Sequence, residues 1–323
     1  VREYGPLESV KVENVQTPRA DAGEVLLKTH FAGVNFPDRL VIEGRYQVRP
    51  ELPFSPGKEL VGTVVDVGEG VTQPVNGQTV IARVEHGAWR EFASVPAANC
   101  SVVPSGVPLD SAMALGLTYQ TAWFALHDRA NFKPGQHVFV TGAAGGVGLA
   151  AIEIVNALGG VAIAGVRHES QHSIVREHGA THVVDLSNPD LRNSLKSELM
   201  EITDGSGCEI ILDNVGGDVF TASLRGIAWS GRVVVVGFAS GDIPTIKAGL
   251  LMVNNISVVG LQWSDYRDRE PQRVDEVQRE LWKLHDQGKL RPPIVKRYEL
   301  KDFAQALNRL AEGELAGQVL IEI

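Results

Sequence analysis

The sequence predicts an α/β protein of two lobes, one β-rich and one built on a doubly wound parallel sheet. Short β-branched runs lie among glycines and prolines up to about residue 115, and continuously apolar runs then alternate with helix-length segments. A glycine cluster follows the first of those apolar runs. At 323 residues the chain is longer than one hydrophobic core usually serves, which also argues for two lobes.

In the first lobe, EVLLKTHFAGV (24–34), LVGTVVDVG (60–68), QTVIARV (78–84) and WREFASV (89–95) read as short strands punctuated by turn residues. From about residue 116 the rhythm changes to HVFVT (137–141), VAIAGV (161–166), HVVDL (182–186), EIILDNV (209–215) and RVVVVGF (232–238). Strands buried on both faces lack polar alternation, so these runs are expected in successive βαβ units. After ISVVGLQ (256–262) the pattern turns helical: Val274, Val277, Leu281 and Leu284 share one face, and Gly288 can end the helix. Phe303, Leu307 and Leu310 mark another amphipathic stretch before QVLIEI, and this tail is expected to fold back onto the first lobe.

Composition narrows the function. Hydrophobic residues at 44% and charged residues at 21% are those of a folded globular chain. A net charge of -9 repels polyanions, so nucleic acid is a disfavoured partner. Cys100 and Cys208 are far apart and have no CxxC spacing, which excludes a disulfide framework and a cysteine-rich zinc site. VREYGPLESV has no apolar signal core and no run of about 18 apolar residues occurs, so a cytoplasmic protein without a membrane partner is expected.

TGAAGGVG sits between a strand and the helix-like GVGLAAIEIVNAL. Glycines let backbone approach a pyrophosphate, and a helix start offers unpaired N–H groups; Ala144, Gly145, Gly146 and Val147 are the residues placed to do so. The usual first glycine is replaced by Ala143, and on the loop alone a structural turn is an equal alternative. The next strand ends on Val166 and Arg167, where an NAD site would place an acid for the ribose hydroxyls. A guanidinium there suits a 2′-phosphate, and the alternative is a solvated residue after a strand.

With AGVNFPDRLVIEGRY, PGKELVGTVVDVG, GLTYQTAW, AAGGVG, LDNVGG and VVVVGFASG in that order, the chain resembles the medium-chain dehydrogenase/reductase superfamily. Within it, the resemblance is to the zinc-free NADPH:quinone oxidoreductase and zeta-crystallin branch. It implies a GroES-like β-rich catalytic domain (1–116 and 256–323), a Rossmann-type cofactor domain (117–255) and an active cleft between them. It also implies a homodimer through cofactor-domain edge strands, here ISVVGLQ.

Zinc-dependent relatives place ligands where this sequence has Asn35, Lys58 and Leu115 or a neighbour, so the expectation is no metal. The chemistry then expected is hydride delivery to a quinone or to the β-carbon of an α,β-unsaturated carbonyl compound, with charge moving onto oxygen. Asn35 and Tyr46 match polar positions of the branch beside that oxygen or the nicotinamide ribose. As alternatives, Asn35 caps local backbone and Tyr46 is a half-buried aromatic with a wet hydroxyl. Thr118 resembles the threonine at the nicotinamide end. Asn214, Val215, Gly216, Gly237, Phe238 and Ala239 fall at strand carboxyl ends, where open α/β sheets bind ligands. Gln120 and Trp263 are candidates for the substrate pocket, Trp263 equally for an interface.

The branch's further NADPH-binding positions align with Gln171, Leu186, and Glu314 or Gln318, none basic. That leaves Arg167, with His168, Ser170 or His172, for the phosphate, so NADPH is preferred and NADH possible. The cluster His168, His172, His178 and His182 reads as mostly solvated helix surface, with a metal site the lesser alternative, and Asp38 and Glu59 read as structural acids. Competing functions are a 2-haloacrylate or enoyl-CoA (acryloyl- or crotonyl-CoA) reductase, and a non-catalytic crystallin-like or RNA-binding protein.

Overall fold

The computed structural model describes residues 1–313 and 316–323, so Glu314 lies outside the described residues. Strands run β1 (Glu24–Val34), β2 (Glu59–Val67), β3 (Thr79–Arg83), β4 (Phe92–Pro96), β5 (Cys100–Val102), β6 (His137–Thr141), β7 (Val161–Val166), β8 (His182–Asp185), β9 (Cys208–Asp213), β10 (Ile227–Val235), β11 (Ser257–Gly260), β12 (Ile294–Glu299) and β13 (Gln318–Glu322). Helices run α1 (Phe36–Ile42), α2 (Leu109–Ala114), α3 (Leu117–Phe124), α4 (Gly146–Ala157), α5 (His172–Glu177), α6 (Leu191–Ile202), α7 (Gly217–Ser223), α8 (Ala248–Asn254), α9 (Trp263–Arg269), α10 (Pro271–Asp286) and α11 (Phe303–Ala311). None of the described helices is long and apolar enough to cross a membrane.

Two compact units result. The first comprises residues 1–117, 264–282 and 292–323. Its sheet runs β12-β13-β1-β2-β3-β5, with β4 also paired to β1. Val25, Leu27, Val34, Leu60, Val64 and Val80 from the strands pack with Phe303 and Leu307 of α11 in its core, as the period-2 and helical patterns require. β12 was not anticipated: Lys296, Arg297 and Glu299 interrupt its apolar pattern, and it lies at the edge, paired with β13.

The second unit comprises residues 118–263 and 283–291. Its sheet runs β11-β10-β9-β6-β7-β8, with every pairing parallel. In order of appearance this is 3-2-1-4-5-6, the Rossmann order, whose switch point lies between β6 and β9. β10 starts earlier than RVVVVGF suggested and is irregular between Ile227 and Arg232, where Ser230 adopts φ 60°.

The expected boundary after residue 255 is too early. ISVVGLQ contains β11, which pairs with β10 and extends the second unit's sheet, and residues 283–291 return to that unit. Helical periodicity in α10 marks its buried face but not the point where the chain passes between units.

Both thiols are suppressed by their surroundings. Cys100 packs against the first unit's core and Cys208 is buried in the second, and burial pushes each thiol up to about 12.

Candidate active site

In the first unit, Asn35 closes β1 and caps α1. Its extended backbone (φ -121°, ψ 151°) turns the chain, Pro37 fits the first helical turn, and its N–H donates to Asp38 Oδ2 at 2.7 Å. Its side-chain Nδ2 donates to Glu59 Oε1 at 3.1 Å, while Glu59 Oε2 accepts the backbone N–H of Leu117 at 2.6 Å. Gly33 and Gly116 flank that carboxylate, and a Cβ at either would collide with it. Glycine is required there by close approach.

Burial pushes Asp38 and Glu59 each up to about 7, against the N–H groups of Asn35 and Gly57 on Asp38, and of Leu117 and the Asn35 amide on Glu59. Arg83 stands opposite Glu59 in the β2–β3 register and is itself buried, donating to Gln278 Oε1 at 2.6 Å and Ser101 Oγ at 3.2 Å. Desolvation brings the guanidinium down to about 10, partly opposed by the Glu59 charge.

Lys58 is only 6% exposed. Its Nζ donates to the carbonyl of Glu85 at 3.2 Å and to the Glu85 carboxylate, which also pairs with Arg267 at 3.2 Å. The same ammonium lies 4.6 Å from the centroid of the half-buried Tyr46 ring. These residues do not suit zinc. An amide, an engaged ammonium and an aliphatic side chain fill the inferred ligand positions, and no group of three potential metal-binding side chains occurs among the described residues.

In the second unit, β6 leads into the glycine loop. Gly142 takes φ 60°, and Gly148 brings α4 so near the loop that a Cβ would lie 2.5 Å from Gly142 O and 2.6 Å from Ala143 O. Gly145 caps α4, whose first intrahelical bond is donated by Leu149 to Gly145 O at 2.9 Å. The preceding amides of residues 146–148 open the helix, as a diphosphate cradle requires.

Beside it, the ends of β9 and β10 are tied together. Asp213 is fully buried; Thr141 Oγ1 donates to its Oδ1 at 2.9 Å and Gly216 N to its Oδ2 at 3.0 Å, while burial holds its carboxyl above the ordinary range. Ala239 N–H reaches Asn214 O and Ser240 N–H reaches Val215 O, both at 3.0 Å. Asn214, Val215, Gly237, Phe238 and Ala239 are thus brought together. The Asn214 side chain donates one N–H to Thr141 O at 2.8 Å. Asp213 and Thr141 escaped sequence reasoning because they read as the ordinary ends of apolar runs.

Arg167, His168, Glu169 and Ser170 are all exposed beyond β7, and a short turn at Glu169–Gln171 follows. Thr118 and Gln120 are buried on α3, and Trp263 is buried with its indole N–H unpartnered. Trp263 is 7% exposed, and the exposed tryptophan is Trp229, at 78%. Tyr119, between Thr118 and Gln120, donates to Glu153 Oε2 at 2.6 Å, and Glu153 also meets His178 Nδ1 at 2.6 Å and the Arg291 N–H at 2.9 Å. His178 is therefore part of a structural network and not of solvated helix surface.

Residues 21–105 match the alcohol dehydrogenase GroES-like domain and residues 146–279 the zinc-binding dehydrogenase family. A quinone oxidoreductase-like protein 2 homolog of Nematostella vectensis is 36% identical over 311 residues, covering 96% of this chain and 84% of the relative. A mycobacterial protein solved with NADPH superposes with TM-score 0.94 at 29% identity, covering 100% of this chain and 98% of that one. Escherichia coli quinone oxidoreductase, also solved with NADPH, gives TM-score 0.92 at 26% identity with the same coverage.

Proposed function

The chain belongs to the quinone oxidoreductase branch of the medium-chain dehydrogenase/reductase superfamily and is an oxidoreductase, and from that premise we propose that it is an NADPH-dependent, zinc-independent reductase of quinones or activated alkenes. The observation that carries the reading is the glycine loop at the start of α4 beside the tied 214–216 and 237–240 segments, at the carboxyl ends of β6, β9 and β10.

The amides at the start of α4 would hold the diphosphate, and Arg167, with His168 and Ser170, the 2′-phosphate. NADPH, when bound, supplies a hydride. Asn35 and Tyr46 would stabilise the oxygen onto which charge moves as the acceptor is reduced. Tyr46 or water then returns a proton. The Lys58 ammonium provides fixed positive charge beside Tyr46, so no Lewis acid is invoked.

The proposed assembly is a homodimer. β11 is paired on one side with β10, and the nearby chain displays Met252 (75% exposed), Val253 (73%) and Ile243 (69%), an apolar surface that a second copy would cover.

NADPH and NADH oxidation by chelator-treated protein, run side by side against 1,4-benzoquinone, 2-cyclohexenone and crotonyl-CoA, tests the reading. Turnover that survives chelation and is faster with NADPH supports it. Activity lost on chelation and restored by zinc overturns it, and turnover confined to crotonyl-CoA moves the assignment to an enoyl-CoA reductase.

A further inference from the structure

We propose that Glu59 is a positioning residue for Asn35: as a carboxylate it fixes which end of the Asn35 amide is turned toward it, and so sets the hydrogen-bond donor that Asn35 offers to the acceptor's oxygen. This rests on the role given to Asn35 above.

The argument begins with the number of donors. An ionised carboxylate only accepts, and each oxygen of Glu59 has one donor, Asn35 Nδ2 at 3.1 Å on Oε1 and the Leu117 N–H at 2.6 Å on Oε2. The amide must therefore turn its nitrogen toward Glu59, which leaves its second N–H for a ligand. Protonation changes this. The Leu117 N–H is a backbone donor and cannot reverse, so the added proton has to sit on the oxygen facing Asn35. A donor then meets a donor, and the amide has to turn over and present its Oδ1 to Glu59.

The carboxylate is held at both oxygens, by the Asn35 amide and the Leu117 N–H. Gly33 and Gly116 approach it from β1 and from the segment before α3, where an added Cβ would meet it. Glu59 therefore passes its charge state on to Asn35 and does not absorb it by moving.

The charged and titratable groups facing it are Arg83 across the β2–β3 register and Asp38 on α1, and Asp38 is itself influenced by Lys58. Arg83 favours the ionised form and burial opposes it, placing Glu59 at about 7. The same carboxylate caps the first residue of α3, immediately before Thr118. One ionisation is thus read both by the Asn35 amide and by the start of that helix.

The test is a mutant cycle with a readout that does not need turnover. Glu59→Gln keeps the shape but offers a single acceptor oxygen, which the Leu117 N–H takes, so its NH2 faces Asn35 and turns the amide over. We expect E59Q to lower kcat at least tenfold with the KM for NADPH within twofold, and to abolish the acid limb of the kcat profile near pH 7. N35A should be similarly slow, and N35A/E59Q no slower than N35A alone, because Glu59 acts through Asn35. Multiplicative losses in the double variant would overturn the proposal.

In wild-type protein labelled with 15N-asparagine, the Asn35 side-chain amide resonances, assigned by their loss in N35A, should titrate with a midpoint near pH 7. A flat response would overturn the proposal even if E59Q fails to fold. If no acceptor is turned over by wild type but the amide titrates, the proposed function fails and the Glu59–Asn35 coupling stands.

Discussion

Lys58 holds its ammonium over the ring of Tyr46, 4.6 Å from the centroid, while its N–H groups are taken up by Glu85. A cation on an aromatic face in a largely desolvated setting is worth about 0.5–2 kcal/mol. Lys58→Met should lower kcat/KM for the acceptor by about threefold to thirtyfold while the Kd for NADPH stays unchanged. Steady-state kinetics with a fluorescence titration of NADPH separates the two, and a loss shared equally with cofactor binding would count against Tyr46 as the affected group.

Replacing Arg167 by Ala should weaken NADPH binding roughly tenfold to a hundredfold, the value of charge-assisted bonds to a phosphate, and leave NADH binding as it was. Isothermal titration of both nucleotides reads the difference. Equal losses would mean that the guanidinium does not meet the 2′-phosphate.

Gly148→Ala would drive a methyl group into the carbonyls of Gly142 and Ala143, at 2.5 and 2.6 Å. Both are backbone atoms, so relief requires moving α4 away from the loop. The expected cost is about 1–3 kcal/mol of stability with a marked loss of NADPH affinity, measured by denaturant unfolding and nucleotide titration.

Glu153 is 4% exposed and holds Tyr119, His178 and the Arg291 N–H. Burial, together with the Glu153 charge, raises the Tyr119 phenol well above its ordinary range, so the tyrosine remains a donor at every working pH. Glu153→Gln lacks one acceptor oxygen and should cost about 1–3 kcal/mol in urea unfolding. A variant as stable as wild type would show that the three bonds are dispensable.

Asp38 and Glu59 also make a pH signature of their own. Burial raises both, from 3.8 and 4.5 to about 7, so the folded chain holds these protons more tightly than the unfolded one. Their contribution to stability is complete below about pH 4 and lost as pH rises through about 7. Stability curves of wild type and Asp38→Asn between pH 5 and 8 should therefore converge toward low pH and separate toward high pH, with the variant the more stable. A constant offset would contradict this linkage.

How much of this was legible in the sequence depends on which residue carried the signal. Continuous apolar runs announced β6, β7 and β9, because a strand covered on both sides has nothing polar to show. β12, with Lys296 and Arg297 at its centre, carried no such signal. The glycine loop is placed by spacing between a strand and a helix, but spacing alone leaves a structural turn as an equal reading. Glu59 stands in PGKELVG, where the sequence alone marks it only as a structural acid. Its bonds to Asn35 and to Leu117 join positions far apart in the chain, and no periodicity encodes that. The lobe boundary failed for a similar reason: α10 is one uninterrupted helix whose hydrophobic face says nothing of which unit each end serves.

The two suppressed thiols bear on chemical durability. Quinones and enones are electrophiles that alkylate cysteine by conjugate addition, and the thiolate is the species that attacks. With Cys100 and Cys208 both near 12, only about one thiol in 100,000 is ionised at neutral pH, and Cys208 is buried as well. A reductase of such acceptors, as proposed above, would present them with two thiols that are seldom in the attacking form.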